Sequence, residues 1–442
     1  MRRPPLSGLL ALAATLPGVV AALSGWEPAA PVAAVVFGVA IVGSAFLLAW
    51  AAEAAQVDVS AGLAVAVLAL IAVLPEYAVD FVFTWRGGAA AAEHGVACKA
   101  ADESTSACSL ALANMTGANR ILVGVGWALV VLIAWRRSGR GGIRLQRADA
   151  VPLAFLTVAS LYCLILPFKR TLTLLDTAVL LAVFIAYSWR VSRAPAGDPD
   201  LIGPAAWVGA MAKKPRRATV IGLFVAAAGV ILLSAERFAE SLVETGAELG
   251  VSEFLLVQWI APLASEAPEL LVAGLYAWRL HTTEALGALV SSKVNQWTLL
   301  VGTLPVVFAV SSGGTSGLPI EPAQREELLL TAAQSVLAIS LLAGLTLSLR
   351  AAATLLVLFG AQFVLAAVVP PDLHGKERIG LSIVYLALAV VVLVRKRRSV
   401  LPLLRDGLVT PYAQLGDDLC CTTTAGRLRV RDRLREKIHV RS

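Results

Sequence analysis

Residues 59–86 read VSAGLAVAVLALIAVLPEYAVDFVFTWR, and residues 251–279 read VSEFLLVQWIAPLASEAPELLVAGLYAWR. Both open on Val-Ser, carry Pro75-Glu76 or Pro268-Glu269 in the middle, and close on Trp85-Arg86 or Trp278-Arg279. From Pro-Glu to Trp-Arg the two align without a gap. The following segments repeat as well: Thr116-Gly117-Ala118-Asn119-Arg120, running to Gly126, lies over Ser292-Lys293-Val294-Asn295-Gln296, running to Gly302. Each half of the chain therefore supplies a pair of special segments.

Their surroundings decide what the repeat is. Of 442 residues 58% are hydrophobic and 15% charged, and the mean hydropathy is +0.78. A soluble domain is close to excluded, since ordinary ones are roughly 45–50% apolar. A bilayer core needs about 20 apolar residues per helix. Twelve such runs are expected, at about 7–23, 31–52, 61–85, 108–135, 149–167, 172–189, 218–241, 252–278, 284–310, 327–348, 351–369 and 378–394. They lack the alternation of a barrel wall and read as helices.

The net charge of +7 is explained by topology rather than by nucleic acid. With a cytoplasmic N-terminus, inward segments hold twenty-seven lysines and arginines, outward segments seven, and Arg120, Arg237 and Lys293 fall within spans. Inward loops of membrane proteins carry such an excess. In this topology Arg86 faces out and Arg279 faces in, so the halves are inverted, the arrangement of alternating-access carriers. The expected organisation is an extra helix or signal peptide over 1–30, a first half over 31–191, a cytoplasmic linker over 192–217, a second half over 218–370, an extra helix over 371–398 and a basic tail over 399–442. Pro195, Gly197, Pro199 and Pro204 oppose regular structure in the linker. The tail, rich in arginine, reads as a solvated segment, with contact to anionic lipid as the second reading. Cys98 and Cys108 flank the long outward loop, where a disulfide and two free thiols are equally open. Cys163 lies in a span, Cys420 and Cys421 in the tail, and neither set suggests a metal site. Trp85, Trp278 and Tyr187 stand at span ends, as interfacial anchors do.

Ionisable groups inside hydrocarbon are costly, and those kept there usually face a cavity and carry function. Six stand out: Glu76, Asp80, Glu266, Glu269, Arg120 and Lys293. Glu76 and Asp80 are one helical turn apart, and Glu266 and Glu269 are spaced i,i+3, so each pair shares a face. Pro75 and Pro268 free backbone carbonyls one turn earlier, near Ile71 and Ala264. Carboxylate and freed carbonyl together make a hard-oxygen cation site. The competing reading is that the acids form buried ion pairs with Arg120 and Lys293 and only hold helices in register.

At these residues the sequence resembles the calcium/cation antiporter superfamily, that of the sodium/calcium exchangers. Leu74-Pro75-Glu76, Ala267-Pro268-Glu269 and the lead-in Gly250-Val251-Ser252-Glu253 carry the resemblance, within a likeness covering about 31–370. It implies an all-α exchanger fold of two inverted five-helix repeats plus one helix at each end. It also implies that Glu76 and Glu269 ligate a transported ion. Supporting positions are Asp80, Glu266, Ser265, Thr116, Ser292, Asn295 and Gln296, with Arg120 and Lys293 tuning charge. The match has departures. Ala72-Val73 replaces the hydroxyl pair before the first Leu-Pro-Glu, Glu266 replaces one hydroxyl of the second, and Arg120 and Lys293 enter the partner motifs.

The reading is a multi-pass plasma-membrane antiporter with both termini cytoplasmic. It exchanges calcium or a related cation against sodium or protons, needs no cofactor and is not an enzyme. Its partners are the bilayer and inorganic cations, with no nucleic acid. The alternatives are a monovalent cation/proton antiporter and a scaffold that has lost transport.

Overall fold

A computed structural model describes residues 5–26, 28–58, 74–99, 106–194, 201, 203–250, 253–370 and 373–415. Two helices lead the chain, α1 (Leu6–Ser24) and α2 (Ala30–Ala55). The first half continues with α3 (Leu74–His94), α4 (Ala107–Ser138), α5 (Arg147–Phe168) and α6 (Leu174–Val191). A short α7 (Gly203–Gly209) precedes α8 (Lys213–Leu249), α9 (Glu253–Trp278), α10 (Thr282–Ser312), α11 (Pro322–Leu342) and α12 (Leu349–Val368). The chain goes on through α13 (His374–Arg395), α14 (Arg397–Leu408) and α15 (Tyr412–Leu415).

Among the described residues nine helices are long and apolar enough to cross a membrane. Each of the three other expected spans also contains a helix. The run at 61–85 is described only from Leu74, so the carbonyl near Ile71 and the Val59-Ser60 opening lie outside the described residues. The expected span 327–348 is shifted to Pro322–Leu342. Its start is set by Pro322, whose fixed φ and missing N–H suit a first helical turn. Its polar side chains Gln324, Glu327, Thr331, Gln334 and Ser335 are buried and dilute its hydropathy. Helix α8 is 37 residues long rather than the 24 of 218–241. It extends by about 1.5 Å per residue past any bilayer core and carries Glu236 and Glu240 to the Arg86 guanidinium.

Two further expectations are corrected. The linker 192–217 contains α7, with Pro204 in its first turn, and the start of α8. The tail is helical to Leu408 rather than solvated throughout. Arg147 donates to both oxygens of Asp406 at 2.6 and 2.9 Å, and Arg190 donates to the Gly407 carbonyl at 3.2 Å. Residues 416–442, with Cys420 and Cys421, lie outside the described residues. Tyr187 is buried against Phe155, unlike the exposed Trp85 and Trp278. Cys98 and Cys108 are disulfide-bonded, with Cα atoms 5.7 Å apart.

Two clusters hold most of the apolar core among the described residues. One apolar cluster joins α4, α5, α10, α11 and α13 around Trp127, Trp297 and Phe308. A second joins α2, α3, α8 and α9 through Phe37, Phe83 and Phe238. Helices α3, α4, α9 and α10 stand where the clusters meet.

Four short strands tie the halves together. β1 (Gly142–Arg144) lies between α4 and α5, β2 (Thr171–Leu172) between α5 and α6, β3 (Leu318–Pro319) between α10 and α11, and β4 (Thr346–Ser348) between α11 and α12. β1 pairs with β4, Ile143 opposite Leu347, and β2 pairs with β3, Leu172 opposite Leu318. The pairing is crossed: the earlier loop of each half meets the later loop of the other. Because α5 and α11 each separate two of these loops, the corresponding loops β1 and β3 lie at opposite ends of the bundle.

Candidate functional site

Helix α3 buries Glu76 and Asp80 completely, on the one face their spacing requires. Helix α9 contains Pro262 and Pro268, which cannot donate to the carbonyls of Gln258 and Ala264 four residues earlier. Next to the first break α4 comes very close. A Cβ built on Gly117 would stand 1.7 Å from the Gln258 carbonyl oxygen, so only glycine allows this approach. Helix α4 widens into a π-helical turn over Leu122–Trp127 and α10 over Gln296–Leu300, both just past the repeated Asn119 and Asn295. Such widened turns occur often at functional sites.

Three carboxylates converge between these helices. One oxygen each from Glu76, Glu266 and Glu269 lies within 4.8 Å of the others. Glu76 and Glu266 are buried, and Glu269 is partly open to a cavity of ≈ 110 Å³ lined by Pro268, Val272, Tyr276 and Leu289. Neither oxygen of Glu76 has a hydrogen-bond partner, nor do Oε2 of Glu266, Oε2 of Glu269 and Oδ2 of Asp80. Asn114 donates to Asp80 Oδ1 at 2.6 Å, and Gln296 donates to Glu266 Oε1. The carbonyl oxygens of the Asn114, Asn295 and Gln296 side chains are likewise unpartnered. Buried acceptors are almost always satisfied in folded proteins. A set of orphaned oxygens in one place is what a hard cation requires, and three mutually close carboxylates favour a divalent ion or protons over none.

The bases sit elsewhere. Lys293 is fully buried and gives its Nζ to the backbone carbonyl and the Oδ1 of Asn119, both at 2.7 Å, with the Trp297 ring 5.2 Å away. Arg120 meets Glu327 at 2.6 Å, Gln362 at 3.3 Å and the Trp259 ring at 4.8 Å. Arg378 joins Glu327 from α13 at 2.8 Å. Among the described residues neither base forms an ion pair with Glu76, Asp80, Glu266 or Glu269. Each base is thus hydrogen-bonded or paired elsewhere, while Lys293 still lies near enough to Glu266 for their charges to attract. Arg120, the other candidate for tuning charge, is paired with Glu327.

The hydroxyls are mixed. Thr116 donates back to Leu112 and Ala113 of its own helix and accepts from Gln258 at 3.5 Å. Ser265 donates back to Ala261 and Pro262, each at 3.3 Å, and Ser292 is half-buried. Asn114, Gln258, Glu327 and Gln362 were missed from the sequence. The signal was a polar residue within an apolar run, the same one that identified the six charged groups.

The sodium/calcium exchanger protein family model matches residues 29–192 and 219–396. The crystal structure of the H+/Ca2+ exchanger CAX is 37% identical, with a TM-score of 0.82 over 90% of this chain and 96% of its own. The Ca2+/H+ antiporter protein YfkE, solved in selenium-substituted form, shares the fold at 15% identity and a TM-score of 0.56, over 87% of this chain and 99% of its own. No curated protein matches the chain. With most of its length matched and three acids gathered between its repeated helices, the chain belongs to the sodium/calcium exchanger family.

Proposed function

We propose that this chain is a secondary antiporter that exchanges Ca2+ for protons by alternating access. The observation that carries the reading is the cluster of Glu76, Glu266 and Glu269, with oxygens within 4.8 Å of one another and mostly unpartnered. Three negative charges at that separation repel strongly in a site shielded from water, so a departing divalent cation must be replaced. Protons can do this on the carboxylates themselves. Glu76 and Glu269 are the central ligands, Glu266 the third carboxylate, and Asp80, with Asn114, a supporting group. Asn295 and Gln296 offer further oxygens, and Ser265, Thr116 and Ser292 line the same helices. The cavity beside Glu269 runs along α9 toward Tyr276 and supports that end of the helix as the side from which the ion enters.

Proton rather than sodium coupling is favoured by the back-bonded Thr116 and Ser265 hydroxyls and by Ala72-Val73 in the first half. The relation to the H+/Ca2+ exchanger CAX at 37% identity supports the same choice. Twelve spans in two inverted halves, a plasma-membrane location and cytoplasmic termini complete the proposal. The crossed pairing of β1 with β4 and β2 with β3 supports the inversion. The test is calcium-45 uptake into reconstituted vesicles under an outward proton gradient and then an outward sodium gradient. Uptake under the proton gradient alone is expected. Uptake driven only by sodium would overturn the coupling, and none under either gradient would overturn calcium transport.

A further inference from the structure

We propose that the Lys293 ammonium is a tethered cation filling a monovalent-cation position built on Asn119, and that it determines which ions the protein can couple. The inference rests on the antiport reading for its transport consequence, but its ligand chemistry can be tested separately. Lysine is rarely buried without an acidic partner. Lys293 is fully buried, and its two hydrogen bonds go to neutral oxygens, the Asn119 carbonyl and amide oxygen, both at 2.7 Å. The Trp297 ring face adds a cation–π contact at 5.2 Å, with its indole N–H held by Ser335 at 2.9 Å. Asn119 is fixed in turn, its amide donating to the Met115 carbonyl at 3.0 Å. Two neutral oxygens and an aromatic face around one positive charge form a first shell that sodium or potassium can also use.

The sequence repeat makes the device one-sided. Lys293 aligns with Gly117, which has no side chain and is pressed against the Gln258 carbonyl. One half therefore carries a tethered amine where the other carries backbone contact. A covalently held ammonium cannot be exchanged, so no mobile cation is coupled through this position while Lys293 fills it.

Removing the side chain should release the position. Lys293→Ser and Lys293→Gly are purified in sodium chloride or in choline chloride, and thermal unfolding is followed in each. Sodium at about 100 times its dissociation constant should raise the unfolding midpoint by several degrees in the variants and leave the native protein unmoved. A variant that folds only in sodium gives the same answer. Folded variants blind to sodium and potassium, or variants that fold in neither salt, would overturn the inference, because the ammonium would then be a structural group. In vesicles, the variants should gain calcium uptake driven by an outward sodium gradient, severalfold above the native rate. If the native protein moves no calcium under any gradient, the antiport reading fails, while the sodium-dependent midpoint still decides the role of Lys293.

Discussion

The guanidinium of Arg120 and the carboxylate of Glu327 meet at 2.6 Å, both almost fully buried. Two residues from different halves of the chain are thus fastened through their side chains, with Arg378 closing on the same carboxylate from α13. Breaking one partner of a buried pair leaves an uncompensated charge. Glu327→Gln should therefore destabilise the protein by about 3–5 kcal/mol, and an apolar double replacement of Arg120 and Glu327 should recover much of it. Unfolding midpoints of the two variants in detergent measure this. A double variant no more stable than the single one would show that the pair is not the source.

Glu76→Gln and Glu269→Gln should each abolish calcium-45 uptake in protein that remains folded. A group one layer removed from a metal typically costs about 10–100-fold in affinity or activity, and a direct ligand should cost more. Uptake within twofold of native, about 0.4 kcal/mol in transition-state terms, would remove that glutamate from the site.

A Cβ on Gly117 would lie 1.7 Å from the Gln258 carbonyl oxygen, far inside contact distance. Gly117→Ala must push α4 and α9 apart, and overpacking of this kind costs about 1–3 kcal/mol. Since the same two helices hold the acids, uptake should fall together with the unfolding midpoint. A variant with native stability and uptake would mean the helices yield without cost.

Asp58, at the end of α2, accepts from Arg216 at 2.7 and 2.8 Å and lies 3.3 Å from Arg217. The Arg216 hydrogen bonds hold its carboxyl at about 2, below the ordinary 3.8. A carboxyl depressed in the folded state stabilises fully above its unfolded value and loses that contribution as the pH falls toward the folded one. Asp58→Asn should accordingly lower the unfolding midpoint by a constant amount from about pH 6 to 9, with the difference from native shrinking only below about pH 4. A difference that changes between pH 6 and 9 would show that Asp58 titrates there. The same variant is a control for uptake, whose pH dependence should be unchanged if the buried acids set it.

Several features of the site were legible because the bilayer makes them conspicuous. A charged group in an apolar run is costly enough to mark itself, so Glu76, Asp80, Glu266, Glu269, Arg120 and Lys293 could be picked out one by one. The repeat of Pro-Glu and Trp-Arg added the pairing of α3 with α9. Asn114, Gln258 and Gln362 carry the same signal more faintly, because a neutral amide costs less to bury than a charge.

The sequence by itself determined the membrane class, the helices and the acidic groups, since length, hydropathy and helical spacing are local properties of the chain. Only the tertiary structure decided who meets whom. It sent Arg120 to Glu327 and Lys293 to Asn119, brought Glu76 against Glu266 and Glu269, crossed the strand pairs, and folded Arg397–Leu408 onto the bundle. The physical reason is that a side chain's partner depends on which helices pack and on which way a long, flexible base turns. Spacing along one helix fixes the face a residue lies on, and not what stands opposite it.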